Sequence, residues 1–182
     1  MTAFKDESVK KLKGQGGVVL YLDFDGVLHH EDVWWHPRRG AYINTPGYRV
    51  FEHMHLLEEA LEPFPHVLIV LSTSWVRVRR FSGALKRLSP SLRARVIGAT
   101  FHTNMKRTAF EALPRGVQIL NDVARRQPCH WVALDDDSES WPVEHAKRLI
   151  LCDGALGVSA PGVLDALRER LALFLYTSSE PE

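Results

Sequence analysis

The 182-residue sequence is short of cysteine and has no long apolar segment, and each shortage excludes a class of protein. Its two cysteines, Cys129 and Cys152, are too few for a disulfide framework or a zinc ribbon. No apolar run approaches the roughly 18 residues of a membrane span. Residues 1–17 are polar and lack the apolar core of a signal peptide. We therefore exclude membrane and disulfide-rich secreted proteins and expect a cytoplasmic domain with no membrane partner.

Acidic residues are absent between Glu62 and Glu111, although the chain as a whole is almost neutral at +1. This basic segment, residues 63–110, carries nine Lys and Arg, whereas the rest of the chain has 14 Lys and Arg against 22 Asp and Glu. Charge segregated in this way favours an anionic substrate. A solvated helix face produces the same pattern, so both interpretations stand at this point.

The composition is that of an ordinary globular protein, with 45% apolar and 25% charged residues. A chain of this length suits one domain of about 150 residues with short tails. We predict an N-terminal tail over residues 1–16, a single domain over residues 17–176 and a C-terminal tail over residues 177–182.

Short apolar runs alternate with segments of helical periodicity. The runs, each of which predicts a buried strand, are Val18–Phe24, Val67–Leu71, Arg95–Ala99, Trp131–Leu134 and Arg148–Cys152. Residues spaced for one helix face lie at 50–61, 78–88, 117–124 and 164–174. The alternation predicts a Rossmann-like three-layer α/β sandwich with a five-stranded, mostly parallel sheet. In such sheets, ligands bind at the carboxyl ends of the strands.

Two carboxylates leave the end of the first predicted strand together, in Leu22-Asp23-Phe24-Asp25-Gly26. Gly26 permits a sharp turn of the backbone. Carboxylates at the mouth of a buried strand are unfavourable unless a cation or a hydrogen-bond network receives them. The pair therefore predicts a metal site, although a solvated turn would have the same pattern.

Polar side chains also end the second and fourth predicted strands. The hydroxyls of Ser72–Ser74 can donate hydrogen bonds to a bound oxyanion, and Ser74 is alternatively a helix N-cap. The carboxylates of Asp135–Asp137 repel one another unless they are exposed or bind a cation such as Mg²⁺. Lys106, between the third and fourth strands, has the charge to neutralise phosphoryl oxygens, or is a surface residue.

These four motifs, in this order, resemble those of the haloacid dehalogenase (HAD) superfamily. They read DFDGVL at the first strand, LSTSW at the second, then the lysine, and LDDD at the fourth. The resemblance covers about residues 18–175. The spellings LSTSW and WVALDDD, with CDGALGVSAPGVLDAL near the C-terminus, are most similar to the HAD domains of RNA-repair proteins.

The resemblance implies a Mg²⁺-dependent phosphomonoester hydrolase. Asp23 would be the nucleophile that forms an aspartyl-phosphate. Asp25 would protonate the leaving oxygen and then activate the water that hydrolyses this intermediate. Mg²⁺ would be held by Asp23, by the backbone carbonyl of Asp25, and by Asp135 or Asp136.

The resemblance also implies residues that bind the phosphoryl group. Ser72 or Thr73, together with Gly26, would contact it, and the spacing does not choose between the two hydroxyls. Lys106 would add positive charge, unless Arg107 or Lys86 takes this role.

HAD enzymes often carry a cap domain, and neither interval that holds one is long enough here. We therefore predict no separate cap domain and an open site, which suits bulky or polymeric substrates. Residues 29–39 would form a flap beside the site, in which Trp34 or Trp35 stacks on a base. The alternative is that one of these tryptophans packs into the domain.

The sequence as a whole predicts a phosphatase acting on a phosphorylated small molecule or nucleic-acid end. The basic segment and the aromatic flap favour nucleotides or nucleic-acid phosphate ends. Phosphoryl transfer to an acceptor other than water would use the same residues. A non-catalytic phosphate- or RNA-binding module is disfavoured, because both aspartates, a hydroxyl and an acidic pair are all present.

Overall fold

The five predicted strands form one parallel sheet. The computed structural model describes residues 12–177. Its strands are β1 (Val18–Leu22), β2 (Val33–His36), β3 (Gly40–Ile43), β4 (Leu68–Leu71), β5 (Val96–Ala99), β6 (His130–Asp135) and β7 (Leu149–Leu151). The sheet has the order β5-β4-β1-β6-β7, and every neighbouring pair is parallel. The predicted α/β fold is therefore confirmed.

Helices cover both faces of this sheet and make the other two layers. They are α1 (Met54–Leu61), α2 (Ser74–Leu85), α3 (Pro90–Arg95), α4 (Arg107–Glu111), α5 (Arg115–Arg126) and α6 (Val163–Thr177), with a 3-10 helix at Val143–Arg148. On one face, α1, α2 and α6 share a buried apolar cluster with Leu20 and Leu22. On the other face, Ile119 of α5 shares a second cluster with Val19 and Tyr21.

The register of the central strand brings the predicted motifs to one edge. Leu22, the last residue of β1, is paired with Leu71 of β4 and Leu134 of β6. The ladder then continues into the motifs, because Asp23 N donates to Leu134 O at 3.1 Å and Ser72 N donates to Leu22 O at 2.8 Å. The residues after these three strands therefore emerge side by side.

Helix α2 begins earlier than its periodicity predicts and is kinked. It starts at Ser74, and its N-cap is Thr73, whose side-chain oxygen accepts from Trp75 N at 3.4 Å. Inside the helix, Arg80 has φ 61° and ψ 162°, a conformation that only glycine adopts without strain. A residue in this conformation lowers the stability of the fold by about 1–3 kcal/mol.

The predicted flap is a hairpin in which β2 and β3 pair antiparallel. Trp34 and Trp35 lie on it with 55% and 43% of their surfaces exposed, so neither tryptophan packs into the core. No domain-sized insertion interrupts residues 12–177, in which the hairpin is the element inserted between β1 and α1.

The described part of the chain has no helix with the length and apolar character needed to cross a membrane. Most of the predicted N-terminal tail, residues 1–11, and residues 178–182 lie outside the described residues. Residues 12–16 form a turn in which Gly16 N donates to Gln127 O at 3.0 Å.

Candidate active site

Three carboxylates from two neighbouring strands meet at the carboxyl edge of the sheet. Asp23 follows β1, Asp135 ends β6, and Asp136 comes next. One oxygen from each side chain lies within 4.8 Å of the others. Asp23 and Asp135 are only 3% and 0% exposed, whereas Asp136 is half-buried. We call these three residues the acidic cluster.

Gly26 makes room for the third carboxylate. Its φ of +66° lies in the left-handed region that favours glycine. A Cβ at this position would lie 2.0 Å from Oδ2 of Asp136, far inside contact distance. The glycine of the first motif therefore shapes the acidic cluster itself.

Arg115, the first residue of α5, is the cation that lies against the cluster. Its Nη2 donates to Oδ2 of Asp23 at 2.7 Å, and its Nε lies 3.2 Å from Oδ2 of Asp135. Its Nη1 donates to the Ser72 carbonyl at 2.8 Å. Burial alone would lower the pKa of Arg115, but the charges of Asp23 and Asp135 raise it above its ordinary value.

One guanidinium does not balance three clustered carboxylates. Burial, and then the charge of Asp23, raise the pKa of Asp135 to about 9 and that of Asp136 to about 6. Burial also raises the pKa of Asp23, against the opposing effect of Arg115. The cluster therefore holds protons, or another positive charge, at neutral pH.

The acidic cluster fits a divalent cation. Oδ2 of Asp135 is fully buried and accepts no hydrogen bond from residues 12–177, although Arg115 Nε lies 3.2 Å away. Clustered carboxylate oxygens are hard ligands that suit Mg²⁺. Asp23, Asp135 and Asp136 are the side chains that would hold it.

Asp25 lies beside the cluster with its carboxylate held by three side chains. Trp75 Nε1 donates to Oδ1 at 2.7 Å, and His29 Nε2 lies 3.1 Å from the same oxygen. Ser74 Oγ donates to Oδ2 at 3.2 Å. His29 is fully buried, whereas the side chain of Asp25 is 28% exposed. Asp25 is thus fixed in place and still accessible to a ligand.

The three hydroxyls of LSTSW have different surroundings. Thr73 lies close enough to the Asp23 carboxylate for its hydroxyl to lower the pKa of that group, although burial outweighs this effect. Ser72 Oγ is buried and has no hydrogen-bond partner among the described residues. Ser74 binds Asp25 instead of the cluster. Thr73 is therefore the hydroxyl that lies next to Asp23.

A small aromatic recess opens beside Asp25. It has a volume of about 180 Å³ and is walled by Trp34 and Trp35 of the hairpin and by Trp75 of α2. The guanidinium carbon of Arg79 lies 2.9 Å from the centroid of the Trp35 ring. The flap and α2 together thus form a partly apolar wall next to the Asp25 carboxylate.

Residues 19–163 match the family described as the HAD domain in Swiss Army Knife RNA repair proteins. The chain belongs to this family. The resemblance to the HAD superfamily and the narrower resemblance to RNA-repair HAD domains are both confirmed. No curated protein and no solved structure matched the chain.

In this HAD domain, the predicted lysine does not lie against the carboxylates. Lys106 is the N-cap of α4, its side chain is exposed, and it forms no ion pair with any residue in the described range. Arg115 lies at the cluster instead, at the start of the next helix and still ahead of β6. Arg107, the alternative named above, pairs with Glu111 at 2.9 Å.

Two signals in the sequence could have identified residues of this HAD domain that motif spacing missed. A cation in the first turn of a helix opposes the helix dipole, so Arg115 directly after Pro114 suggests a partner carboxylate elsewhere. His29 follows the DxDG turn closely enough for its ring to reach Asp25. Nothing in the sequence shows that Trp75 would bind Asp25 across 50 positions.

Proposed function

We propose that this HAD domain is a Mg²⁺-dependent phosphomonoester hydrolase that forms an aspartyl-phosphate on Asp23. The observation that carries the proposal is the meeting of Asp23 with Asp135 and Asp136, with Asp25 fixed alongside. Membership of the HAD family supports phosphatase-type chemistry. When bound, Mg²⁺ would supply the positive charge that lets an anionic nucleophile approach an anionic phosphate.

Asp23 is the proposed nucleophile that attacks phosphorus. Its Oδ1 accepts from Phe24 N at 2.6 Å and its Oδ2 accepts from Arg115, so the carboxylate cannot rotate freely. A bond forms between a carboxylate oxygen and phosphorus as the bond from phosphorus to the leaving oxygen breaks. Because burial raises the pKa of Asp23, the ionised nucleophile depends on Arg115 and on further positive charge at the cluster.

Asp25 is the proposed general acid and base. It gives a proton to the leaving oxygen and then takes one from the water that attacks the aspartyl-phosphate. The hydrogen bonds from Trp75 and Ser74, with His29 against the same carboxylate, orient it for both transfers. In this proposal the leaving group lies next to the aromatic recess, since that recess opens at Asp25.

Positive charge and hydrogen-bond donors complete the site. Thr73, at Asp23, is the proposed hydroxyl donor to a phosphoryl oxygen, and Gly26 keeps the turn beside it open. Arg115 is the proposed cation that neutralises phosphoryl charge in the place assigned to Lys106 by motif order. Lys106 would act only if the exposed segment that carries it moved to the phosphate.

The proposed substrates are nucleotides or phosphorylated ends of nucleic acids. The family is described by its occurrence in RNA-repair proteins, and the hairpin places two exposed tryptophans near Asp25. The lack of a cap leaves the site open to a polymer end. The cytoplasmic location stays a prediction.

The decisive experiment is a panel of phosphomonoesters and of oligonucleotides with 3′- or 5′-phosphates, assayed with Mg²⁺ or with EDTA. We expect Mg²⁺-dependent phosphate release from at least one substrate. Asp23→Asn and Asp25→Asn should each abolish it. Asp165→Asn, which changes an exposed surface carboxylate on α6, is the matched control and should be fully active.

A labelled phosphate distinguishes the proposed intermediate from direct attack by water. Acid quenching during turnover should leave label on the wild-type protein and none on Asp23→Asn. Undiminished hydrolysis by Asp23→Asn would contradict the mechanism. Release of phosphorylated alcohol in place of phosphate, when an acceptor alcohol is added, would show transfer by the same site.

A further inference from the structure

A large cavity lies away from the acidic cluster, at the edge strand β5. Its volume is about 910 Å³, and Ile97, Gly98 and Ala99 of β5 form its floor. At this free edge of the sheet, the cavity is bordered by α2 on one face and by α5 on the other. We call the cavity the β5 groove.

The β5 groove is lined by cations. Within residues 12–177 its lining contains no acidic side chain and five basic ones, namely Lys13, Arg77, Arg80, Arg125 and Arg126. Such a surface is complementary to an anion.

Part of this positive charge is neutralised, and part is not. The single carboxylate of Asp122 faces both Arg125 and Arg126, so one positive charge remains on that side. Arg77 shares Glu111 with Arg107, which again leaves one charge in excess. Lys13 and Arg80 form no ion pair with any residue of the described chain. The groove is therefore positive after its own pairs are taken into account.

A strained residue of the fold lies at this groove. Arg80 holds a backbone conformation with φ 61° and ψ 162° inside α2, and its side chain lines the groove with that of the next residue, Phe81. Glycine would relieve the strain at position 80, whereas this chain has arginine there. Strain kept at a charged, exposed position points to a role in binding.

Aromatic rings line the groove beside the cations. Phe81 is 37% exposed, and Phe101 and His102 lie at the end of the groove next to the carboxyl end of β5. Cations that meet phosphates, alternating with rings that stack on bases, form the usual surface for single-stranded nucleic acid. An acidic peptide would contact the cations, but it has no bases to stack on the rings.

The groove leads toward the candidate active site. Its floor ends at the same edge of the sheet from which Asp23 emerges. Arg77 lies one turn along α2 from Ser74, which binds Asp25, and also lines a smaller cleft that reaches Arg115. A strand bound in the groove would therefore lie close to the acidic cluster.

We propose that the β5 groove binds the body of a single-stranded nucleic acid. Its phosphates meet Lys13 and Arg80, and its bases stack on Phe81 and Phe101. The further statement that the bound strand presents its phosphorylated end to Asp23 rests on the proposed function, whereas the binding itself does not.

The test measures binding without hydrolysis, by fluorescence anisotropy of a labelled 12-nucleotide single strand that has no terminal phosphate. Lys13→Glu and Arg80→Glu should each weaken binding roughly five- to tenfold. Each should also reduce the slope of log affinity against log salt concentration by about one. Phe81→Ala should weaken it about tenfold. Arg80→Gly should weaken binding while the melting temperature stays equal or rises, because the strain is relieved.

Lys147→Glu is the control, since it makes the same charge change on the 3-10 helix near β7, at the opposite edge of the sheet. An equal loss in Lys147→Glu, or no loss in Lys13→Glu and Arg80→Glu, would overturn the proposal. Competition by oligoglutamate with the labelled strand at equal charge concentration would also overturn the proposal, because the groove would then be assigned to acidic peptides. If the binding pattern holds and no phosphomonoester is hydrolysed, the proposed function fails and the groove assignment stands.

Discussion

Two buried carboxylate sites in this HAD domain are neutralised in opposite ways. At Asp122, on α5, one carboxylate accepts from the Tyr21 hydroxyl at 3.0 Å, from Arg126 Nε at 2.9 Å and from Arg125. At the acidic cluster, three carboxylates face the single guanidinium of Arg115. Cations are in excess at the first site and carboxylates at the second.

The difference separates a structural network from a site prepared for a ligand. Each oxygen of Asp122 already has protein donors, so nothing remains for a ligand to bind. In the acidic cluster, Asp135 has a buried oxygen with no donor in the described part of the chain, and burial holds the carboxyl pKa values above their ordinary range. A buried carboxylate short of donors gains from a bound cation, and one with enough donors does not.

The largest effect should come from removing Arg115, the cation that pairs with the acidic cluster. Arg115→Met should lower kcat by about 10²–10³, because it removes a donor aimed at the reacting groups. Arg115→Lys should restore only part of the rate, since an ammonium does not reproduce the planar contacts to Asp23, Asp135 and the Ser72 carbonyl.

The matched control for Arg115 is Arg168→Met, which removes an exposed guanidinium paired with Asp165 on α6. Its kcat should be unchanged. An Arg115→Met protein with normal circular dichroism and a kcat within threefold of wild type would show that Arg115 is only a structural partner.

The second effect should appear in stability and not in catalysis. Asp122→Asn leaves the buried guanidinium of Arg126 without a counter-ion, so we expect the free energy of unfolding to fall by about 3 kcal/mol. Urea denaturation measures this loss. The folded fraction should keep its kcat, and an equal loss of kcat would make Asp122 part of the active site.

The features that could be predicted from the sequence are those that depend on residues close together in the chain. All five strands are found within two residues of their predicted ends, since a buried central strand such as β1 must be continuously apolar. Asp23 and Asp135 could also be predicted to lie together, because parallel strands bring their carboxyl ends to one edge of the sheet.

Residues whose role depends on distant contacts were not predictable in this way. Arg115 reaches Asp23 across 92 positions, and motif order alone pointed to Lys106. The kink at Arg80 leaves no trace in the apolar periodicity, which continues through it. The β5 groove lies at the free edge of the sheet between α2 and α5, and no local sequence pattern records how these layers assemble.

The third effect is a dependence of stability on pH and Mg²⁺. Burial raises the folded-state pKa of Asp135 to about 9 and that of Asp136 to about 6, so the folded protein binds more protons than the unfolded chain above pH 4. Stability of the metal-free protein should therefore fall as the pH rises through this window. Above pH 6, Asp135 carries most of the decline.

Mg²⁺ should oppose this decline, since it replaces the bound protons at the carboxylates. Thermal melting should show a gain on adding Mg²⁺ that is several degrees larger at pH 8.5 than at pH 6. Asp135→Asn should remove both the decline and the gain. A gain that does not change with pH would mean that Mg²⁺ binds elsewhere.

The smallest expected effect is on stability, and it tests whether the two arginines alone satisfy the Asp122 carboxylate. Tyr21→Phe removes one of three donors to Asp122 and keeps the ring, whose centroid lies 5.9 Å from that of Trp131 in an edge-on contact. Because both arginines remain, the free energy of unfolding should fall by only about 1 kcal/mol. In an Asp122→Asn background, the same substitution should change stability by less, since the two residues act through one contact. A loss as large as that of Asp122→Asn would mean that the arginines do not satisfy the carboxylate alone, and the contrast with the acidic cluster would then be one of degree.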